Sequence, residues 1–137
     1  HELGAGFMAI GYAKSTGKLG VVLSIGGPGA AYMVGAAVTA KSEKITVLFI
    51  TGNLPLAYSN KGDFQDGGSL GTNDQGIFKA ALGNSFSFKS KEQLNDLLIE
   101  ISMCEHKQSS LHIQIPIDIQ QSKVLTSLEN QNSSLKG

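Results

Sequence analysis

The chain has 137 residues, 41% of them hydrophobic, which suits one domain with a buried core. Eleven basic residues balance eleven acidic ones, so charge offers no case for nucleic acid or an anionic membrane as partner. Seventeen glycines without a period exclude a collagen-like repeat, and one cysteine, Cys104, excludes an intrachain disulfide and fits a reducing, cytoplasmic setting.

In chain order, Ala5, Met8, Ala9, Tyr12 and Ala13 fall at helical spacing and predict a helix over 2–16, stopped by Gly17. His1 is not an initiator methionine, so a preceding segment is expected. The apolar run 20–25 predicts a strand buried on both faces. Gly26-Gly27-Pro28-Gly29 predicts a turn into a small-residue helix from about Ala30 to Ala40. Residues 45–50 predict a second buried strand, rich in β-branched side chains. The glycine- and asparagine-rich stretch 52–73 predicts a long loop, and loops of that length are commonly functional.

A short helix follows over 74–82, then a brief strand over 85–88. Residues 91–105 predict an amphipathic helix whose apolar face carries Leu94, Leu97, Leu98, Ile101 and Cys104. Residues 111–117 alternate and predict a strand stopped by Pro116 and Asp118. The polar stretch 122–137 reads as a linker or tail. No apolar run approaches the roughly 18 residues of a membrane span. Alternating strands and helices predict an α/β three-layer sandwich, with a mostly parallel sheet and helices on both faces. Ligands of such sheets bind beyond the carboxyl ends of the strands, where the 26–29 turn and the 52–73 loop both lie.

Each candidate motif has a plainer reading beside it. The Gly26–Ala30 turn could cradle an anion on free N–H groups, or be an ordinary strand-to-helix turn. It lacks the Gly-Lys-Ser/Thr of a phosphate-binding loop, and Tyr32 fills the third position of Gly-x-Gly-x-x-Gly. Glu2 in a first helical turn could simply favour the helix dipole. Gln65 and Lys79 could be solvated surface residues. No His/Cys/Asp cluster has metal-ligand spacing.

Together, His1-Glu2, Ala5-Gly6-Phe7-Met8-Ala9, Gly11-Tyr12-Ala13, Thr16-Gly17-Lys18, Gly20-Val21, Gly27-Pro28-Gly29-Ala30, Gly35, Ala40, Ile50-Thr51-Gly52 and Phe64-Gln65 form an ordered series. That series, over residues 1–121, resembles the pyrimidine-binding (PYR) domain of thiamine-diphosphate enzymes of the acetolactate synthase type. The resemblance implies that Glu2 hydrogen-bonds the ring nitrogen N1′ of the cofactor's aminopyrimidine and thereby promotes formation of the thiazolium ylide. It implies that Gly26, Gly27, Pro28 and Gly29 border the aminopyrimidine. Phe64 and Gln65 would then lie on the substrate side, with Gln65 bonding a substrate carboxylate or carbonyl. Asn53 stands where many relatives carry Gln, and Lys79 where relatives often carry Lys.

The same resemblance implies a strand–helix–strand segment ahead of Glu2, whose absence would leave one sheet edge and some apolar surface bare. It implies that diphosphate and Mg2+ are held by a separate domain through Gly-Asp-Gly…Asn-Asn. Gly62-Asp63-Phe64 falls short of that motif. The expected partners are therefore a diphosphate-binding domain of the same or a neighbouring subunit, a homodimer or homotetramer, and a small 2-oxo acid. FAD would belong to a domain outside this segment. The 52–73 loop has no His-His pair, which disfavours simple decarboxylation with proton delivery by histidine. Two other classes stand beside this one. One is a non-catalytic or regulatory fragment assembling with a diphosphate-binding domain; the other is a Rossmann-like nucleotide binder, which the missing third glycine disfavours.

Overall fold

The computed structural model describes residues 1–123. The expected tail at 122–137 lies outside the described residues beyond Lys123. Helix α1 (Glu2–Thr16) is followed by strand β1 (Gly20–Ser24), helix α2 (Pro28–Ser42) and strand β2 (Val47–Asn53). After the long loop come helix α3 (Asp74–Leu82), strand β3 (Ser85–Ser87), helix α4 (Leu94–His106), strand β4 (Leu111–Pro116) and the short helix α5 (Ile117–Gln120). No described helix is long and apolar enough to cross a membrane.

The four strands form one parallel sheet in the order β1-β2-β4-β3. Register sets Ser24 beside Thr51, and Thr51 beside Gln114, so the carboxyl ends of β1, β2 and β4 line up along one rim. Every loop that carries a candidate residue leaves from that rim.

Alternation of side chains across the pleat builds two cores. On one face Val22, Val47 and Phe49 pack against Ala9, Ile10 and Ala13 of α1, Met33 and four alanines of α2, and Phe78 of α3. On the other, Leu48, Leu111 and Ile113 pack against Leu97 and Cys104 of α4. The sandwich is thus three layers deep, as the pattern of elements predicts. Small side chains let α1 and α2 approach closely: a methyl group on Gly6 would stand 2.5 Å from the Ala36 Cβ.

The structure corrects four expectations. β1 is an edge strand, buried on one face only, with Val21 and Leu23 54% and 69% exposed on the other. An apolar run reports that a strand lies in a sheet, not whether both faces are covered. α2 begins at Pro28, inside the predicted turn, because the fixed φ of proline suits the first helical position. Pro116 ends β4 as its last residue and leads into α5, where the sequence pattern predicts only a stop. Leu98 is exposed, so the buried stripe of α4 is narrower than its leucines suggest.

Candidate functional site

The site is built where the amino ends of α1 and α2 meet the carboxyl ends of β1 and β2. His1 caps α1, its Nδ1 accepting the Leu3 N–H at 3.3 Å, and its ring lies 5.1 Å from the ring of Tyr32 on α2. This sets Glu2 in the first turn of α1, half-buried. Its carboxylate faces the first turn of α2: a methyl group on Gly29 would lie 3.3 Å from Glu2 Oε1, 2.5 Å from Ser24 Oγ and 2.7 Å from Ile25 Cγ1. Only glycine leaves room for that approach. The one ion pair among the described residues joins Lys14 to Glu43, so Glu2 has no cationic partner there.

The turn before α2 is held from below. Gly27 sits at φ 68° and ψ −121°, a region that side chains other than hydrogen rarely adopt. Its N–H donates to Asp74 Oδ2 at 3.0 Å. Asp74, in the first turn of α3, is fully buried and also accepts the Thr72 hydroxyl through Oδ1 at 2.5 Å. Burial pushes the Asp74 carboxyl above the usual carboxylate range, against the lowering influence of Thr72, the Gly27 N–H and the Gln114 amide.

The loop after β2 folds back over this turn. Gln65, half-buried, has φ 62°, uncommon for a residue with a side chain. Its Cα would stand 3.0 Å from a Cβ placed on Gly27, so the backbone of one loop rests directly on the other. Asn53 organises the loop from its start: Oδ1 accepts the N–H groups of Leu54 and Gly67 at 2.8 and 2.9 Å, and Nδ2 donates to Ser59 Oγ at 3.0 Å. Asp66 is buried, and its carboxylate accepts backbone N–H groups from Asn60, Lys61, Gly62 and Gly68. Desolvation pushes that carboxyl up, but the four N–H groups outweigh it and hold it below its ordinary value.

An open, mainly apolar cleft of about 710 Å³ runs along the strand ends, lined by Leu23, Ile25, Gly26, Asn53 and Gln65 among others. Glu2 is not in its lining; it stands beyond Ser24 and Ile25, on the Gly29 side. Of the residues singled out from the sequence, the structure brings together Glu2 and Gly29, Gly27 and Gln65, and Gly26 and Asn53. Pro28 is exposed at the start of α2. Phe64 is 82% exposed and stands out from the loop. Lys79 is exposed in the last turn of α3 and does not line the cleft. Among the described residues no group of three or more His, Cys, Asp or Glu side chains could hold a metal ion.

Sequence reasoning missed Asp66 and Asp74. One directly follows Phe64-Gln65 and the other opens a helix, where an acidic residue ordinarily serves only the dipole. The signal present was an Asn-Asp pair at the end of a glycine-rich loop, a place where short polar side chains commonly turn back onto backbone N–H groups.

The sequence model of the family described as "Thiamine pyrophosphate enzyme, N-terminal TPP binding domain" matches residues 1–72. The chain is 34% identical over 122 residues to the acetolactate synthase isozyme 2 large subunit of Escherichia coli K12, covering 88% of this chain and 21% of that protein. It is 46% identical over 66 residues to the acetolactate synthase of Arthrospira platensis, 48% of this chain and 11% of that one. It is 41% identical over 71 residues to the mitochondrial acetolactate synthase catalytic subunit of Saccharomyces cerevisiae, 52% of this chain and 10% of that one. The chain thus spans about a fifth or less of these relatives' length. The three-layer parallel sandwich and the match through α1, the glycine turn and the following loop place the chain in the thiamine pyrophosphate enzyme family, as an N-terminal TPP binding domain similar to that of acetolactate synthases.

Proposed function

We propose that this domain supplies the pyrimidine side of the active site in a thiamine-diphosphate-dependent enzyme that joins or decarboxylates 2-oxo acids such as pyruvate, with Glu2 as its catalytic residue. The carrying observation is the Glu2 carboxylate set against Gly29, half-buried and without a cationic partner among the described residues. A carboxyl group in that position suits a ring nitrogen, with which it can share a proton; an ion pair would have opposed this by holding the charge. Gly29 lets Glu2, Ser24 and Ile25 close on the head of α2, and the open room for a flat heterocycle lies beside Gly26 in the neighbouring cleft. The donor set therefore fits an aminopyrimidine.

When bound, thiamine diphosphate would supply the carbon nucleophile that attacks the 2-oxo acid. The residues of this chain do the rest of the pyrimidine-side work. Glu2 holds the proton at the ring nitrogen. Gly26, Gly27, Pro28 and Gly29 form the wall beside the ring. Gln65, seated on Gly27, presents a side-chain amide that can bond a substrate carboxylate, and Phe64 and Asn53 border that side. Lys79 lies away from the cleft, and a role for it would need approach from another domain. Diphosphate, Mg2+ and any FAD would be bound by other parts of the complete enzyme, and the fragment alone would be inactive.

A second reading, assembly with a diphosphate-binding domain without turnover of its own, is favoured by the bare outer face of β1, where Val21 and Leu23 are exposed, with Ile25 exposed just beyond its end. Glu2→Gln in the complete enzyme carrying this domain separates the two. The catalytic reading expects activity to fall about 10²- to 10⁴-fold, as for loss of a general acid–base group, with the circular dichroism spectrum unchanged. Full activity in a folded Glu2→Gln enzyme would remove Glu2 from the mechanism.

A further inference from the structure

We infer that Asp74 is a positioning residue that couples the substrate-side loop to the cofactor-side turn, through its carboxylate bonds to Gly27 and Thr72. The inference rests on the proposed reading of Glu2 and the turn, and adds to it the part that holds them in place.

Three features set Asp74 apart from an acidic residue that merely caps a helix. It is completely buried, whereas the cap of α3 is made by Asn73, whose side chain accepts the Gly76 N–H. Its two oxygens face different segments: Oδ2 takes the N–H of Gly27 at 3.0 Å, across 47 residues of sequence, and Oδ1 takes the Thr72 hydroxyl at 2.5 Å. Its own backbone N–H donates to the Gly67 carbonyl at 3.0 Å, and that carbonyl also accepts Gln114 Nε2 from β4 at 3.0 Å. One side chain and its backbone therefore fasten the turn, both ends of the 67–72 segment and a central strand.

The consequences run outward in both directions. The bond to the Gly27 N–H fixes the Gly26–Gly27 peptide, one peptide ahead of Pro28, and thus the entry into α2 where Gly29 approaches Glu2. Gln65 packs on Gly27, so a turn that shifts also moves the substrate-side amide. Misplacement of reacting groups by about 1 Å costs on the order of a hundredfold in rate. Asp74 is fully buried and outside the lining of the cleft, so it acts through Gly27.

The test compares Asp74→Ala and Asp74→Asn in the complete enzyme. Asparagine can still accept the Gly27 N–H through Oδ1 while its amide donates to the Thr72 oxygen; alanine can do neither. Asp74→Ala is expected to lower kcat about ten- to a hundredfold and to raise KM for pyruvate, with Asp74→Asn recovering most of both. Hydrogen exchange at the Gly27 amide, read in the same proteins without cofactor, is expected to quicken in the alanine variant and stay slow in the asparagine one. A folded Asp74→Ala enzyme with unchanged kcat and KM overturns the inference, as does an asparagine variant as impaired as the alanine one. If the alanine variant fails to fold, Thr72→Val carries the test: a severalfold drop in kcat supports the coupling and an unchanged kcat refutes it. Failure of the Glu2 reading is separately visible, because Glu2→Gln would then stay active while Gly27 exchange still reports on Asp74.

Discussion

The carboxylate of Asp66 accepts the N–H groups of Asn60, Lys61, Gly62 and Gly68 at 3.2, 2.9, 2.9 and 2.8 Å. One inward-turned side chain thereby does for an irregular loop what a ladder of backbone bonds does for a strand. Removing it would leave four donors without their acceptor, the Gly68 N–H in a buried place and the other three in part-buried ones. Asp66→Ala is expected to destabilise the domain by about 3 kcal/mol in urea unfolding and to speed amide exchange at 60–62 and 68. Asp66→Asn, which keeps one accepting oxygen, should fall between alanine and the parent. A loop whose exchange is unchanged in Asp66→Ala would show that these bonds do not hold it. The acidic side chains mark the limit of what the sequence discloses at this scale. Glu2 and the glycine turn are legible because their order and spacing carry them. Asp66 and Asp74 are not, because nothing in a linear pattern tells a solvated aspartate from one folded back on distant N–H groups.

Among the elements, α1 and α2 matter most, since their amino ends carry Glu2 and the glycine turn. They meet through small side chains, with Gly6 facing Ala36. The helical periodicity of α1 predicts its limits and its stop at Gly17 correctly, because apolar spacing and a left-handed glycine are local signals. The open outer face of β1 is not local information: Val21 and Leu23 read as core residues until the sheet order puts β1 at an edge. The close helix contact carries a direct prediction. Gly6→Ala would press its methyl group against that of Ala36 and force α1 outward, at a cost of about 1–3 kcal/mol by overpacking. Ala36→Gly in the same chain removes the opposing methyl. The double variant is therefore expected to recover much of the loss, after allowing up to about 1 kcal/mol for glycine within a helix. Additive losses in that double-mutant cycle would show that the two helices do not meet at this pair.

At the scale of the whole molecule, the sheet has a polar centre beneath the site. His112 on β4 is fully buried, bonded through Nε2 to Thr51 Oγ1 of β2 at 2.9 Å and through Nδ1 to Ser85 Oγ of β3 at 2.7 Å. Its ring is stacked on Phe78 of α3, with centroids 3.9 Å apart. Burial lowers its pKa from 6.5 to about 3, so the folded protein keeps this imidazole neutral where the unfolded chain would charge it. Between those values the unfolded state binds more protons, and stability falls as the pH falls, by up to about 1.4 kcal/mol per pH unit from this group. Below about 3 both states are protonated and the loss from His112 levels off. Asp66, held low, adds an acid loss of the same sign, beginning near its ordinary 3.8. Asp74, held high, acts oppositely: as the pH falls the folded state takes up its proton first, which offsets part of the loss. The difference between parent and His112→Gln isolates the histidine, since glutamine can bond both hydroxyls without titrating. Urea unfolding of the two proteins from pH 7 to pH 3 is expected to show a steep decline in the parent and a shallower one in His112→Gln. The gap between them should narrow steadily towards acid, and equal slopes across that range would mean that His112 does not stay neutral in the folded sheet.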